Sequence, residues 1–170
     1  TDKARPRFPD AEISIVSASD DLSRAILYVR SNALPGRYYL YTAESDQLQY
    51  FAPTYPDLEK QPLAAIKSIN YEARDGLTTP GYLTLPPGVS EKPKQPLPAI
   101  VYPHGGPHSR DYSDFDPMLQ MFANRGYAVL QMNFRGSSGH GTEFQSAGYR
   151  QWGQAMQDDV TDGTQWLINQ

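Results

Sequence analysis

The chain has 170 residues, 39 % of them hydrophobic and 12 % aromatic. That suffices for one ordinary domain or two small ones and excludes wholesale disorder. A net charge of −4 with scattered positive residues gives no electrostatic footprint for nucleic acid, and apolar runs of about five residues fall far short of the ~20 that span a bilayer, so neither a nucleic-acid nor a membrane partner is expected. The absence of cysteine excludes disulfides and thiolate metal sites and leaves the compartment open.

Residues 1–8 are charged and proline-containing, unlike a signal peptide. Short strands are predicted over 13–17, 24–30 (RAILYVR), 38–42 (YYLYT) and 48–51. Polar turns separate them at 17–21, 31–36 and 43–46, with Pro35-Gly36 as punctuation of the second. Four strands joined by tight turns make an antiparallel meander, the unit from which propeller blades are built. Any other antiparallel sheet would fit the spacing as well. Residues 53–62 hold three prolines and read as a linker.

Beyond it the pattern changes. Strands are predicted over 65–73 and 80–85 around an Arg74-Asp75-Gly76 turn, followed by a proline- and lysine-rich loop over 86–98. Residues 98–102 (PAIVY) form a short apolar run bounded as a buried strand would be. Asp116-Pro117 starts a helix with Met118, Leu119 and Phe122 on one face, and Gly126 closes it. A strand follows over 127–134. A second helix carries Trp152, Met156, Val160, Gly163 and Leu167 at helical spacing. The closing β-α-β-α order implies parallel strands.

Two glycine-bearing loops follow the last two strands. In His104-Gly105-Gly106-Pro107 the backbone can turn sharply and bring its N–H groups close to a ligand. In hydrolases built on a parallel sheet, such a loop donates to the oxyanion of a tetrahedral intermediate. A plain glycine turn would look the same. The second loop, residues 133–141, sets Arg135 among glycines and serines. A buried arginine there needs a carboxylate, for which Asp158 and Asp159 on the second helix are candidates; a solvated arginine needs none. Phosphate binding lacks its glycine spacing. His104 and His108 are four apart, but the intervening Gly-Gly-Pro forbids the helix that spacing would need to bind zinc, so no metal and no cofactor is expected. Asp111, Asp114 and Asp116 read as capping and solvation.

These segments resemble the prolyl oligopeptidase family of serine peptidases, in its acylaminoacyl-peptidase-like branch. The resemblance is carried by His104-Gly105-Gly106-Pro107, Ala123-Asn124-Arg125-Gly126-Tyr127-Ala128-Val129, Asn133-Phe134-Arg135-Gly136-Ser137, Gly139-His140-Gly141, Trp152-Gly153, and Asp158-Asp159-Val160 through Trp166-Leu167. Upstream, residues 73–76 and 81–86 are similar to the first strands of that family's catalytic domain. The resemblance implies an α/β fold: the N-terminal half of an α/β-hydrolase domain over residues 61–170, preceded over residues 1–60 by the last four-strand blade of a β-propeller-like domain. It implies acyl transfer to serine and hydrolysis of a peptide substrate, with Gly106, or Gly105, as oxyanion donor and His104, Arg135, Asp158 and Asp159 as structural support. The family's nucleophile sits in a G-x-S-x-G elbow, and no serine here has glycine at both −2 and +2. The expectation is therefore an inactive fragment ending before its serine. Its edge strand over 98–102 would invite self-association. A non-catalytic β-rich interaction module, or another α/β-hydrolase such as an esterase, are the competing readings.

Overall fold

The computed structural model describes residues 2–32, 34–90 and 93–170. Ala33, in the turn expected over 31–36, and Glu91 and Lys92, in the loop expected over 86–98, lie outside them, as does Thr1. The chain divides into two compact units, 1–63 with 114–116, and 64–113 with 117–170.

The first unit is an antiparallel sheet of four strands in sequence order: β1 (Glu12–Ala18), β2 (Arg24–Ser31), β3 (Leu34–Thr42) and β4 (Gln47–Pro53). The Ser19–Ser23 turn closes on itself: Asp21 accepts from the Ser19 hydroxyl at 2.6 Å and from the Ser23 N–H at 3.0 Å. Strand alternation puts Leu27 and Val29 of β2 on the buried face, opposite Ile15 and Ile13 of β1. On that face Leu27 pairs with Tyr39, which packs between Phe8 (5.0 Å between ring centroids) and Tyr50 (5.8 Å). Pro35-Gly36, expected to punctuate a turn, lies inside β3. A Cβ on Gly36 would fall inside the Tyr28 ring, so the glycine makes room for a cross-strand aromatic. The expected linker contains a 3₁₀ turn at Pro56–Leu58.

The second unit is an α/β layer. Its sheet has the order β5-β6-β8-β7, from β5 (Ile66–Glu72), β6 (Thr78–Thr84), β7 (Ala99–Val101) and β8 (Ala128–Met132). β7 and β8 are parallel and the other pairs antiparallel. Helix α1 (Pro117–Asn124) makes the crossover between β7 and β8; a short helix α2 (Thr142–Ser146), not foreseen from the sequence, and α3 (Ala155–Ile168) follow. All five residues of β8 are buried, so its two faces define two cores. Leu130, Met132 and, just beyond the strand, Phe134 meet Tyr71 and Met156, with Val160, Trp166 and Leu167 of α3 packed around them. Val129 meets Ile66 and Leu119, with Phe122 of α1 beside them. Burial of each large aliphatic side chain contributes about 1.5–3 kcal/mol. Gly163 lets α3 sit close: a Cβ there would lie 2.9 Å from Met132 and from Tyr71.

Two sequence expectations are corrected. Trp152 precedes α3 and is exposed, so the buried stripe of that helix begins at Met156. Met118 is exposed while Gln120 is buried, because its amide brackets the backbone of Ala64, accepting from the N–H and donating to the carbonyl at 2.8 Å each. The run over 98–102 forms the expected edge strand: among the described residues β7 pairs with β8 alone, and Ala99 is exposed. Gly126, at φ +90°, closes α1 through its N–H to Ala123.

Candidate active site

Both glycine-bearing loops leave the carboxyl ends of the parallel pair β7 and β8, where α/β sheets place their ligands. In the first, Gly106 has φ +132°, and a Cβ would lie 2.7 Å from the Ser109 nitrogen, so only glycine fits. Gly105 is different: a Cβ there would meet nothing within 4 Å. The Gly106–Pro107 peptide is cis. Among the described residues the Gly106 N–H has no hydrogen-bond acceptor, and Gly106 is exposed. A turned, solvent-facing donor of this kind is free to serve an incoming anion.

His104 fixes this loop. Its ring stacks on Phe134 at 4.5 Å between centroids, with Nδ1 2.8 Å from the Gly105 carbonyl and Nε2 2.8 Å from Ser137 Oγ. A carbonyl only accepts, so Nδ1 carries the hydrogen of that contact. His108 Nδ1 likewise donates to the Gly136 carbonyl at 2.9 Å, and the Ser138 N–H to the Ser109 carbonyl at 3.0 Å. The two loops are thus stitched together by side chain and backbone. Beside them a cavity of about 280 Å³ is lined by His104, Pro107, Phe134, Trp152, Met156 and Val160.

The second loop is anchored by Arg135, which is only 8 % exposed. Asp159, fully buried on α3, accepts from Arg135 Nε (2.9 Å), from a terminal guanidinium nitrogen (2.7 Å) and from the Arg135 N–H (2.9 Å). Asp75, in the turn between β5 and β6, takes both terminal nitrogens at 2.7 and 3.0 Å. One guanidinium so ties together three elements. The fork holds the Asp75 carboxyl below the usual carboxylate range and raises the Arg135 guanidinium above its own. Asp158 is not a partner of Arg135. Adjacent helical residues do not share a face, and Asp158 pairs instead with Arg74 at 2.8 Å, as does Asp162. Burial pushes the Tyr71 phenol up, and its hydroxyl donates to the Asp159 carbonyl at 2.8 Å.

Two contributors went unrecognised in the sequence. Asp75 carries only a turn signal in the sequence; its role depends on Arg135, 60 positions away. Ser137 is fully buried between His104 and the Phe134 carbonyl. Asp111, expected to solvate or cap, is instead clamped by β8 and the residue after it. Asn133 accepts from its N–H at 2.7 Å and donates to its carbonyl at 3.3 Å, and Gln131 donates to its carboxylate at 3.0 Å.

Residues 113–170 match the sequence pattern of the Prolyl oligopeptidase family. The chain belongs to that family. It is 34 % identical over 179 aligned residues to "Dipeptidyl peptidase family member 6" of Caenorhabditis elegans, covering 95 % of this chain and 24 % of that protein. It is 37 % identical to "Dipeptidyl aminopeptidase BIII" of Pseudoxanthomonas mexicana, covering 89 % and 22 %. The chain therefore spans about a quarter of the length of these relatives. Among solved structures, a Mycobacterium tuberculosis puromycin-hydrolyzing peptidase superposes with a TM-score of 0.70 at 21 % identity over 86 % of this chain and 23 % of that one. The Pyrococcus horikoshii acylaminoacyl peptidase superposes at 0.66 and 22 % over 91 % and 24 %. The fold of this prolyl oligopeptidase-family chain is accordingly the N-terminal part of an α/β-hydrolase sheet preceded by a propeller-type blade.

Proposed function

We propose that residues 1–170 belong to a serine peptidase that hydrolyses peptide or acyl-peptide bonds through an acyl-enzyme, and that Gly106 supplies one oxyanion donor. The observation that carries this reading is the free N–H of Gly106, held open by a loop no other residue type could form, in a chain of this family. Names of relatives, dipeptidyl and acylaminoacyl peptidases, agree with the substrate class. A charged tetrahedral oxygen presented to the N–H is stabilised more than the neutral carbonyl it comes from, which lowers the barrier to acyl transfer. His104 and Arg135, with its partner Asp159, act as structural support, while Asp158 supports α3 through Arg74. Residues 1–60 supply the last blade of a propeller and residues 61–170 the first half of the catalytic domain.

Nucleophile, acid and general-base histidine lie outside residues 1–170 in this reading, because no serine here occupies a G-x-S-x-G elbow. The 170-residue chain by itself is then inactive. Incubation with a fluorophosphonate probe tests this. The intact protein should label on a serine beyond these residues, and the 170-residue chain should stay unlabelled. Stoichiometric label on any serine of the chain would overturn the reading.

A further inference from the structure

We propose that Ser137 is the positioning residue that aims the oxyanion donor, acting through His104. The inference rests on the peptidase reading above and deepens it. The Gly105 carbonyl and the Gly106 N–H belong to one planar peptide unit, whose C=O and N–H point in opposite directions when trans. Whatever holds the Gly105 oxygen therefore sets the direction of the Gly106 N–H. What holds it is His104 Nδ1, at 2.8 Å. The imidazole is in turn fixed at two places, its face on Phe134 and its Nε2 on Ser137 Oγ at 2.8 Å.

Ser137 is well placed to act as the fixed end of this chain of contacts. It is fully buried, its N–H donates to the Phe134 carbonyl at 3.0 Å, and its Oγ lies 2.6 Å from the same carbonyl. Two residues away, Arg135 is clamped by five hydrogen bonds to Asp75 and Asp159. The Phe134 carbonyl takes the one hydroxyl hydrogen of Ser137, so Oγ faces the ring with its lone pairs and accepts from Nε2, as the Gly105 carbonyl accepts from Nδ1. Rotation of the imidazole about its Cβ would break both contacts together and release the peptide. Stacking on Phe134 restrains tilt but leaves in-plane sliding free, so the hydroxyl supplies the missing restraint.

The test uses the intact protein, labelled with ¹⁵N on histidine and glycine, in wild-type, Ser137→Ala, Ser137→Cys, His104→Ala and Ser137→Ala/His104→Ala forms. The expected result has three parts. The Gly106 amide and the His104 ring nitrogens shift in both Ser137 variants. kcat falls about 10- to 100-fold with KM nearly unchanged. The double variant is no slower than His104→Ala alone. Cysteine fills the space of serine without its strong hydrogen bond, so a packing role predicts that Ser137→Cys resembles wild type. That outcome would overturn the proposal, as would an unmoved Gly106 amide or losses that add across the two sites. If Ser137→Ala does not fold, Ser137→Cys carries the comparison. Failure of the peptidase reading looks different: the wild-type protein turns over no peptide or ester, while the Gly106 amide still decides whether Ser137 aims it.

Discussion

Asp159 and Asp75 bind the same guanidinium, yet their environments assign them different weights. Asp159 is fully buried, and its loss leaves the Arg135 Nε and backbone N–H unpaired in the interior, with only half-exposed Asp75 facing the charge. Such a truncation costs roughly 3–5 kcal/mol. The Asp75 side chain is 49 % exposed, so water can replace it, and Asp75→Ala should cost about 1 kcal/mol or less. Denaturant melts of Asp159→Ala and Asp75→Ala check this, and equal losses would contradict it. Acid titrates the same contacts. The carboxyls of Asp75, hydrogen-bonded to Arg135, and of Asp162, hydrogen-bonded to Arg74, are held below the ordinary range when folded. Stability from a carboxylate lowered in this way is fully present above its unfolded pKa of about 4 and is lost as pH falls through the folded value. Tm should therefore hold from about pH 7 to about pH 5 and drop below about pH 4. An acid limb unchanged in the Asp75→Ala/Asp162→Ala variant would contradict this assignment.

Among the elements, those with strong local signals were legible. The meander announced itself by polar turns between β-branched and aromatic runs, and the glycine-closed helix α1 by its Asp-Pro start. The misread elements are those decided by distant partners. Pro35-Gly36 carries turn chemistry, but the Tyr28 ring across the sheet draws it into β3. Trp152 keeps helical spacing with Met156, yet the chain turns at Gly153, φ +69°, and α3 starts only at Ala155. β7 is apolar enough for a central strand, yet it occupies the edge expected from the family resemblance. Its residues Ala99–Val101 carry no charge to discourage pairing, and a largely apolar cleft of about 560 Å³, lined by Leu83, Val101, Leu167 and Ile168 among others, lies alongside. Purified alone, the 170-residue chain should therefore associate with a second copy through this edge. Sedimentation reads it directly, and Ile100→Lys should restore the monomer. A clean monomer of the unaltered chain at high concentration would contradict the expectation.

For the molecule as a whole, the sequence made the α/β architecture and its two loops visible, because glycine patterns at strand ends are local. It left hidden how those loops are held, because Arg135 reaches Asp75 and His104 reaches Ser137 only after folding. In the proposed peptidase Gly106 is chemically active and Gly105 is a spacer, a distinction that rests on backbone geometry. Turnover by the intact protein tests it with Gly106→Ala and Gly105→Ala side by side. Gly105→Ala has open space for its methyl group and should keep kcat near wild type. Gly106→Ala forces a Cβ against the Ser109 backbone at positive φ, turns the N–H away, and should lower kcat by about 10²–10³-fold, or about 3–4 kcal/mol, with KM little changed. A folded Gly106→Ala enzyme with wild-type kcat, or equal losses in the two variants, would contradict the central claim.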